Sequence, residues 1–173
     1  RSDADTEVHG IAMDVQELIE RSGRVRLRNF LPTDGLDVVV SNVGTNIRKP
    51  ATAYEDHEVD HVLSTNLRAA FALAQTVQPL LLAGTRARGA AHASSKASSS
   101  LAEPNTPPAT SALVFVLSVA AHTHIPTGAP YAMSKAALAQ LVRNLSVEWA
   151  PHIRVNAVSP WYTATPLVEG VLA

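Results

Sequence analysis

Ala112-Leu113-Val114-Phe115-Val116-Leu117-Ser118 is an uninterrupted apolar run of strand length that ends on a hydroxyl. A continuous run, rather than an alternating one, suits a parallel strand covered on both faces. Asp37-Val38-Val39-Val40-Ser41-Asn42-Val43-Gly44 reads as another buried strand running into a tight turn, and Ile153-Arg154-Val155-Asn156-Ala157-Val158-Ser159-Pro160 as a third. Helical patterns separate them. Residues 64–82 carry Leu67, Ala70, Phe71, Ala74 and Val77 at helical spacing; residues 129–149 carry a stripe of Leu138, Leu141, Leu145 and Trp149 before Pro151 ends the helix. Shorter helices are expected over 15–30, weakened at Gly23, and over 52–63. Strands alternating with helices predict an α/β fold with a parallel sheet. Ligands bind such sheets beyond the carboxyl ends of the strands, where Asn42, Ser118 and Ser159 fall.

The run Pro130-Tyr131-Ala132-Met133-Ser134-Lys135 opens the last helix. Positions i and i+4 share a helix face, so the Lys135 ammonium is placed beside the Tyr131 phenol. A cation near a phenol favours the phenolate, which lets such a tyrosine exchange a proton with an alcohol or carbonyl oxygen near neutral pH. Ser118, 13 residues before Tyr131, ends a strand and can hydrogen-bond the same oxygen. A chance Tyr-x-x-x-Lys and a strand-ending serine would be the plain structural explanation; the order of the surrounding elements favours catalysis.

Four segments, two of them those just described, together resemble the short-chain dehydrogenase/reductase family. They are Ser41-Asn42-Val43-Gly44, close to the family's Asn-Asn-Ala-Gly turn; Ser118 ahead of the tyrosine; the Tyr131/Lys135 pair; and Arg154 to Pro160, matching Arg-x-Asn-x-Val-x-Pro. A narrower likeness to tropinone reductases and their plant relatives is carried by Gly44 to Pro50 and Ser159 to Glu169. The resemblance implies a Rossmann-like, doubly wound parallel sheet and hydride transfer between a nicotinamide cofactor, NADP with NAD as the alternative, and a small-molecule carbonyl or secondary alcohol. It implies Tyr131 as proton donor, Ser118 as the group holding the substrate oxygen, Lys135 on the nicotinamide ribose, and Asn66 as the residue whose backbone carbonyl supports a proton-relay water. It further implies Asp14, Val15, Asn42, Gly44, Pro160, Thr163 and Thr165 along the cofactor, with His124 and Trp161 against the substrate. A homo-oligomer is implied for the full-length form. Two departures stand out: Ser41 replaces the first Asn of the turn, and Trp161 stands where many relatives have Gly.

By the same resemblance, the strand-like Val8 to Met13, ending at Asp14, corresponds to the family's third strand. The first two strands and the glycine-rich phosphate loop are expected before it, and no Gly-x-x-x-Gly-x-Gly run occurs in the chain. The expectation is therefore a partial domain over residues 1–173 that leaves a strand edge unpaired. The alternative is a catalytically inactive truncated homologue acting as a non-enzymatic partner, or a pseudogene product. In residues 84–111, 21 of 28 are Ala, Ser, Pro, Thr or Gly, so the stretch buries too little apolar surface to offset its ordering and is expected to be a disordered insertion.

Apolar residues make up 46% of the chain, enough for a core, and the formal charge of −1 favours neither nucleic acid nor a membrane surface. Cysteine is absent, which excludes disulfides and thiolate metal sites. No apolar stretch approaches the ~20 residues of a membrane span. No secretory signal opens the chain, so a cytoplasmic location is expected, with a plastid as the alternative. His57-Glu58-Val59-Asp60-His61 fits His-Glu-x-x-His but lacks a third ligand, and reads as a solvated helix face. His122 and His124 suit a cleft wall better than a metal site. Asn144-Leu145-Ser146 is a glycosylation sequon by pattern only, inside a helix.

Overall fold

A computed structural model describes residues 7–97 and 110–163. The regular elements in chain order are a 3-10 turn (Val15–Ile19), α1 (Arg21–Phe30), β1 (Val38–Ser41), α2 (Asp56–Leu63), a π turn (Ser64–Arg68), α3 (Ala69–Ala97), β2 (Ser111–Val116), α4 (Ala129–Glu148) and β3 (Ile153–Val158). A short 3-10 turn, Ala51–Ala53, precedes α2, and another, Val119–Ala121, follows β2. The three strands form one parallel sheet in the order β1-β2-β3, with Val39 opposite Leu113 and Leu113 opposite Val155.

That register divides the side chains between two faces. Leu113, Phe115, Ile153 and Val155 join Val77 and Leu81 of α3 and Leu138 and Leu145 of α4 in one core. On the other face Val38 and Val40 of the β1 edge are each 58% exposed, and Arg154 and Asn156 of β3 are exposed too. The apolar runs predicted strands covered on both faces; among the described residues helices cover one face only.

Three further expectations are corrected. Val8 to Met13 has no regular structure, and Asp14 instead caps the following 3-10 turn, its carboxylate accepting from the Gln16 N–H while Glu17 answers the Asp14 N–H. A strand needs a neighbour, and none lies beside this stretch among the described residues. The helix expected over 15–30 breaks at Glu20 rather than Gly23. Gly23 is buried against the 3-10 turn, where a Cβ would stand 2.0 Å from the Glu17 carbonyl oxygen. Only glycine permits that approach, so the residue that weakens the helix also docks it.

The stretch expected to be disordered over 84–111 is helical in its first part, residues 84–97. Helix α3 continues through it to Ala97, and the polar residues at its flanks are structural. Ser111, fully buried, starts β2; its N–H donates to Thr85 Oγ1, and its hydroxyl lies 2.7 Å from the Leu81 carbonyl and 2.6 Å from Arg88. Thr85 in turn donates to the His152 carbonyl. Thr85, Arg88 and Ser111 thus clip α3 to the start of the sheet. The remaining residues, 98–109, lie outside the described residues.

Gly84 and Gly89 separate these two behaviours. A Cβ on Gly84 would meet the Leu36 carbonyl oxygen at 2.3 Å, whereas one on Gly89 would meet nothing within 4 Å. Gly89→Ala is expected to raise stability by up to ~1 kcal/mol through helix propensity, and Gly84→Ala to lower it by more than that. Urea unfolding of both variants checks this; an unchanged Gly89→Ala midpoint would contradict a helix at that position.

Candidate active site

The C-terminal ends of the strands meet the start of α4. Gly128, with φ of 86°, turns the chain into that helix, and Pro130 occupies its first turn, where a missing N–H costs nothing. Tyr131 and Lys135 follow one turn apart, with the Lys135 ammonium 5.7 Å from the Tyr131 ring centroid. Ser118 caps the 3-10 turn after β2, its oxygen accepting from the Ala120 N–H. Ser118, Tyr131 and Lys135 line one open cleft of about 390 Å³ together with Asn42, Gly44, Pro160, Trp161 and Thr163. A smaller recess of about 90 Å³ continues from Ser118 and Tyr131 past Asn46, Arg48, Ile125, Trp161 and Tyr162.

Lys135 is only 4% exposed and donates to the Val116 carbonyl at 2.8 Å. Burial lowers its pKa to about 8, because the neutral amine loses less hydration than the ammonium. Gly44 passes close by: a Cβ there would stand 3.4 Å from the Lys135 nitrogen and from Asn66 Oδ1.

Asn66 lies in the π turn, which joins α2 to α3 through an Ala69 N–H donating to the Ser64 carbonyl. Its side chain has no exposure, and its amide is used on both sides. Oδ1 accepts from the Thr45 N–H at 2.8 Å; Nδ2 donates to the Thr45 carbonyl at 2.9 Å and to Ser134 Oγ at 3.0 Å. The Ser134 hydroxyl donates to the Tyr131 carbonyl at 2.7 Å. One buried amide therefore fixes both the turn after β1 and the first turn of α4.

Other expected residues fall elsewhere. Val15 lines a separate recess with Asn42 and Thr65, and Asp14 only caps its turn. His124 is exposed and stays outside the cleft, because the turn after Ala121 points Ile125 inward instead. His122 bonds Ser159. Thr165 lies outside the described residues. Among the described residues no cluster of three metal-ligating side chains exists; His57 and His61 are exposed, and the His61 ring bonds the Gln16 amide at 3.1 Å.

Comparison with known proteins identifies the family. Residues 2–105 match the short chain dehydrogenase family and residues 85–173 the enoyl-(acyl carrier protein) reductase family. The chain belongs to the short-chain dehydrogenase/reductase family.

A tropinone reductase homologue of Arabidopsis thaliana is 41% identical over 95% of this chain and 54% of its own length. Senescence-associated protein 13 of the same plant is 35% identical over 91% and 51% respectively. Among solved structures, an aldohexose dehydrogenase of Thermoplasma acidophilum superposes with a TM-score of 0.74 at 20% identity, covering 95% of this chain and 55% of that one. A putative NAD(P)-dependent gluconate 5-dehydrogenase of Beutenbergia cavernae with bound NADP superposes at 0.69 with 26% identity, covering 89% and 53%. The chain thus spans about half the length of the proteins that it matches.

Thr45, Ser134 and the recess residues Asn46, Arg48 and Ile125 were not evident as site residues from the sequence. Ser134 carried a signal, as a serine one turn after Tyr131 on the face that Lys135 shares with the core. The bonds to Thr45 had none, since they depend on a turn 21 residues away.

The lowered lysine has a thermodynamic signature. Its folded pKa of about 8 lies below the unfolded value of 10.5, so in that window the unfolded chain binds more protons. Stability contributed by this group therefore rises with pH across the window, by up to ~1.4 kcal/mol per pH unit. Urea melts from pH 8 to 10.5, without nucleotide, should show this slope in the wild type and a smaller one in Lys135→Met. Equal slopes would contradict a desolvated ammonium.

Proposed function

We propose that the protein carrying this chain transfers hydride between NADP(H) and a carbonyl or secondary alcohol. The observation that carries this is the convergence of Ser118, Tyr131 and Lys135 on one cleft at the carboxyl ends of parallel strands. NADP(H), when bound, supplies or accepts the hydride. The nicotinamide and its ribose fit this cleft: Gly44 leaves the approach to Lys135 open, and Pro160 and Thr163 stand opposite. NADP is favoured over NAD by the bound NADP of the relative from Beutenbergia cavernae.

The chain's residues handle the proton and the substrate. In reduction, Tyr131 Oη gives its proton to the nascent alkoxide, and Ser118 Oγ hydrogen-bonds the same oxygen. Lys135, cationic at neutral pH, stabilises the tyrosinate left behind and holds the ribose. The Asn66 backbone carbonyl, in the π turn, supports a water that returns the proton. Trp161 and Tyr162, stacked edge-on at 4.8 Å, form the outer wall of the substrate recess. The substrate is a small molecule, the working unit a homo-oligomer and the location cytoplasmic, with a plastid as the alternative. No helix among the described residues is long and apolar enough to cross a membrane.

The test is carbonyl reduction by the full-length protein. Tyr131→Phe keeps the ring and removes the acid, and should lower kcat by ~10²–10⁴ with nucleotide affinity little changed. A variant retaining most of its kcat would remove Tyr131 from the mechanism. Full-length wild type without reductase activity on any carbonyl would favour a non-catalytic homologue.

A further inference from the structure

Helix α1 and helix α3 bound a second groove of about 440 Å³ that shares no residue with the catalytic cleft. Its walls include Arg21, Arg24, Val25 and Arg28 from α1 and Gln75 and Thr76 from α3. At about 100° per residue, Arg21, Arg24 and Arg28 fall within an arc of roughly 60° on one flank of α1. The orientation of the helix is fixed, because buried Gly23 docks against the preceding turn. Arg26, on the opposite flank, is used structurally: it pairs with Glu17 at 2.9 Å and donates to the Ala12 carbonyl.

The three groove arginines have no such use. Among the described residues no carboxylate pairs with any of them, whereas Arg26 pairs with Glu17 and Arg88 with Asp37. Glu20, the N-cap of α1, makes no side-chain cap, and among the described residues it forms no ion pair. The first turn of α1 contains no acid, so Arg21 and Arg24 sit at the positive end of the helix dipole, where cations are unfavourable. Three like charges on one flank add mutual repulsion. An anion in the groove would relieve both effects at once.

We propose that this groove binds a small multivalent anion, a phosphate- or carboxylate-bearing molecule, at a site separate from the catalytic cleft. Guanidinium forks match phosphate and carboxylate oxygens in pairs. The volume lies within the range of small-molecule sites, and the Val25 and Pro79 side chains give it an apolar floor. The Gln75 amide adds a donor opposite the arginines, while the Thr76 hydroxyl is used on the Ala72 carbonyl at 2.7 Å.

Calorimetric titration of this chain with inorganic pyrophosphate and with citrate, at low ionic strength, tests the proposal. One equivalent of at least one probe should bind, weakening as salt is raised. The double variant Arg24→Ala/Arg28→Ala should lose at least tenfold in affinity, while Arg143→Ala, on the surface of α4, should not. Arg28→Ala alone, expected to lose severalfold, keeps the test decisive if the double variant does not fold. Unchanged affinity in the groove variants, equal loss in Arg143→Ala, or no binding of either probe at millimolar concentration would overturn the proposal. So would arginine-dependent binding of polyglutamate alone, since that would make the occupant an acidic protein surface.

Discussion

The buried side-chain amide of Asn66 is the constraint on which the site depends. Leaving a buried donor or acceptor unpaired costs about 1–3 kcal/mol, and this amide has three such positions filled. Two bonds go to Thr45 and one to Ser134. Asn66 therefore cannot stay inside unless the turn after β1 and the start of α4 are both where they are. Through Ser134 the restraint reaches the Tyr131 backbone, and through the Thr45 turn it holds Gly44 beside Lys135. The same turn is anchored further out by the Lys49–Glu58 ion pair, and the Glu58 carboxyl is held below its usual range first by its bond to the Glu55 backbone and then by Lys49.

The sheet supplies the other half of the geometry. Parallel register brings Ser41, Val116 and Val158 to one edge, so the turns that follow them converge. Val116 contributes its carbonyl to Lys135, and the next two residues deliver Ser118. The ammonium is thus held by backbone in a place with little water, which is why its proton is loosened. A flexible, solvated lysine could not combine a fixed position with a lowered pKa.

The α/β class, the three strands and the last helix were legible because each is a long segment of one period: continuous for β2, striped for α4. Ser118, Tyr131 and Lys135 were legible because their chemistry depends on local spacing. What failed depended on neighbours. The segment 8–13 has strand composition but nothing to pair with among the described residues, and Gly84 to Ala97 has the composition of a loop yet continues a helix already nucleated and clipped by Thr85 and Arg88. His124 and Ile125 compete for one wall of the recess, and their order in the chain does not say which turns inward. The exposed valines of β1 show the same limit: strand composition records a face to be covered, and a structure spanning half the length of its relatives covers only the face that its own helices reach.

Hydrogen exchange at the Thr45 amide reports most directly on the buried amide. Among the described residues that N–H is bonded to Asn66 Oδ1 and to no backbone carbonyl. The Thr45 amide should be protected in the wild type and exchange at least ~10²-fold faster in Asn66→Ala, a difference of about 2.7 kcal/mol in local opening. A Thr45 amide that exchanges freely in the folded wild type, or is equally protected in Asn66→Ala, would contradict the account.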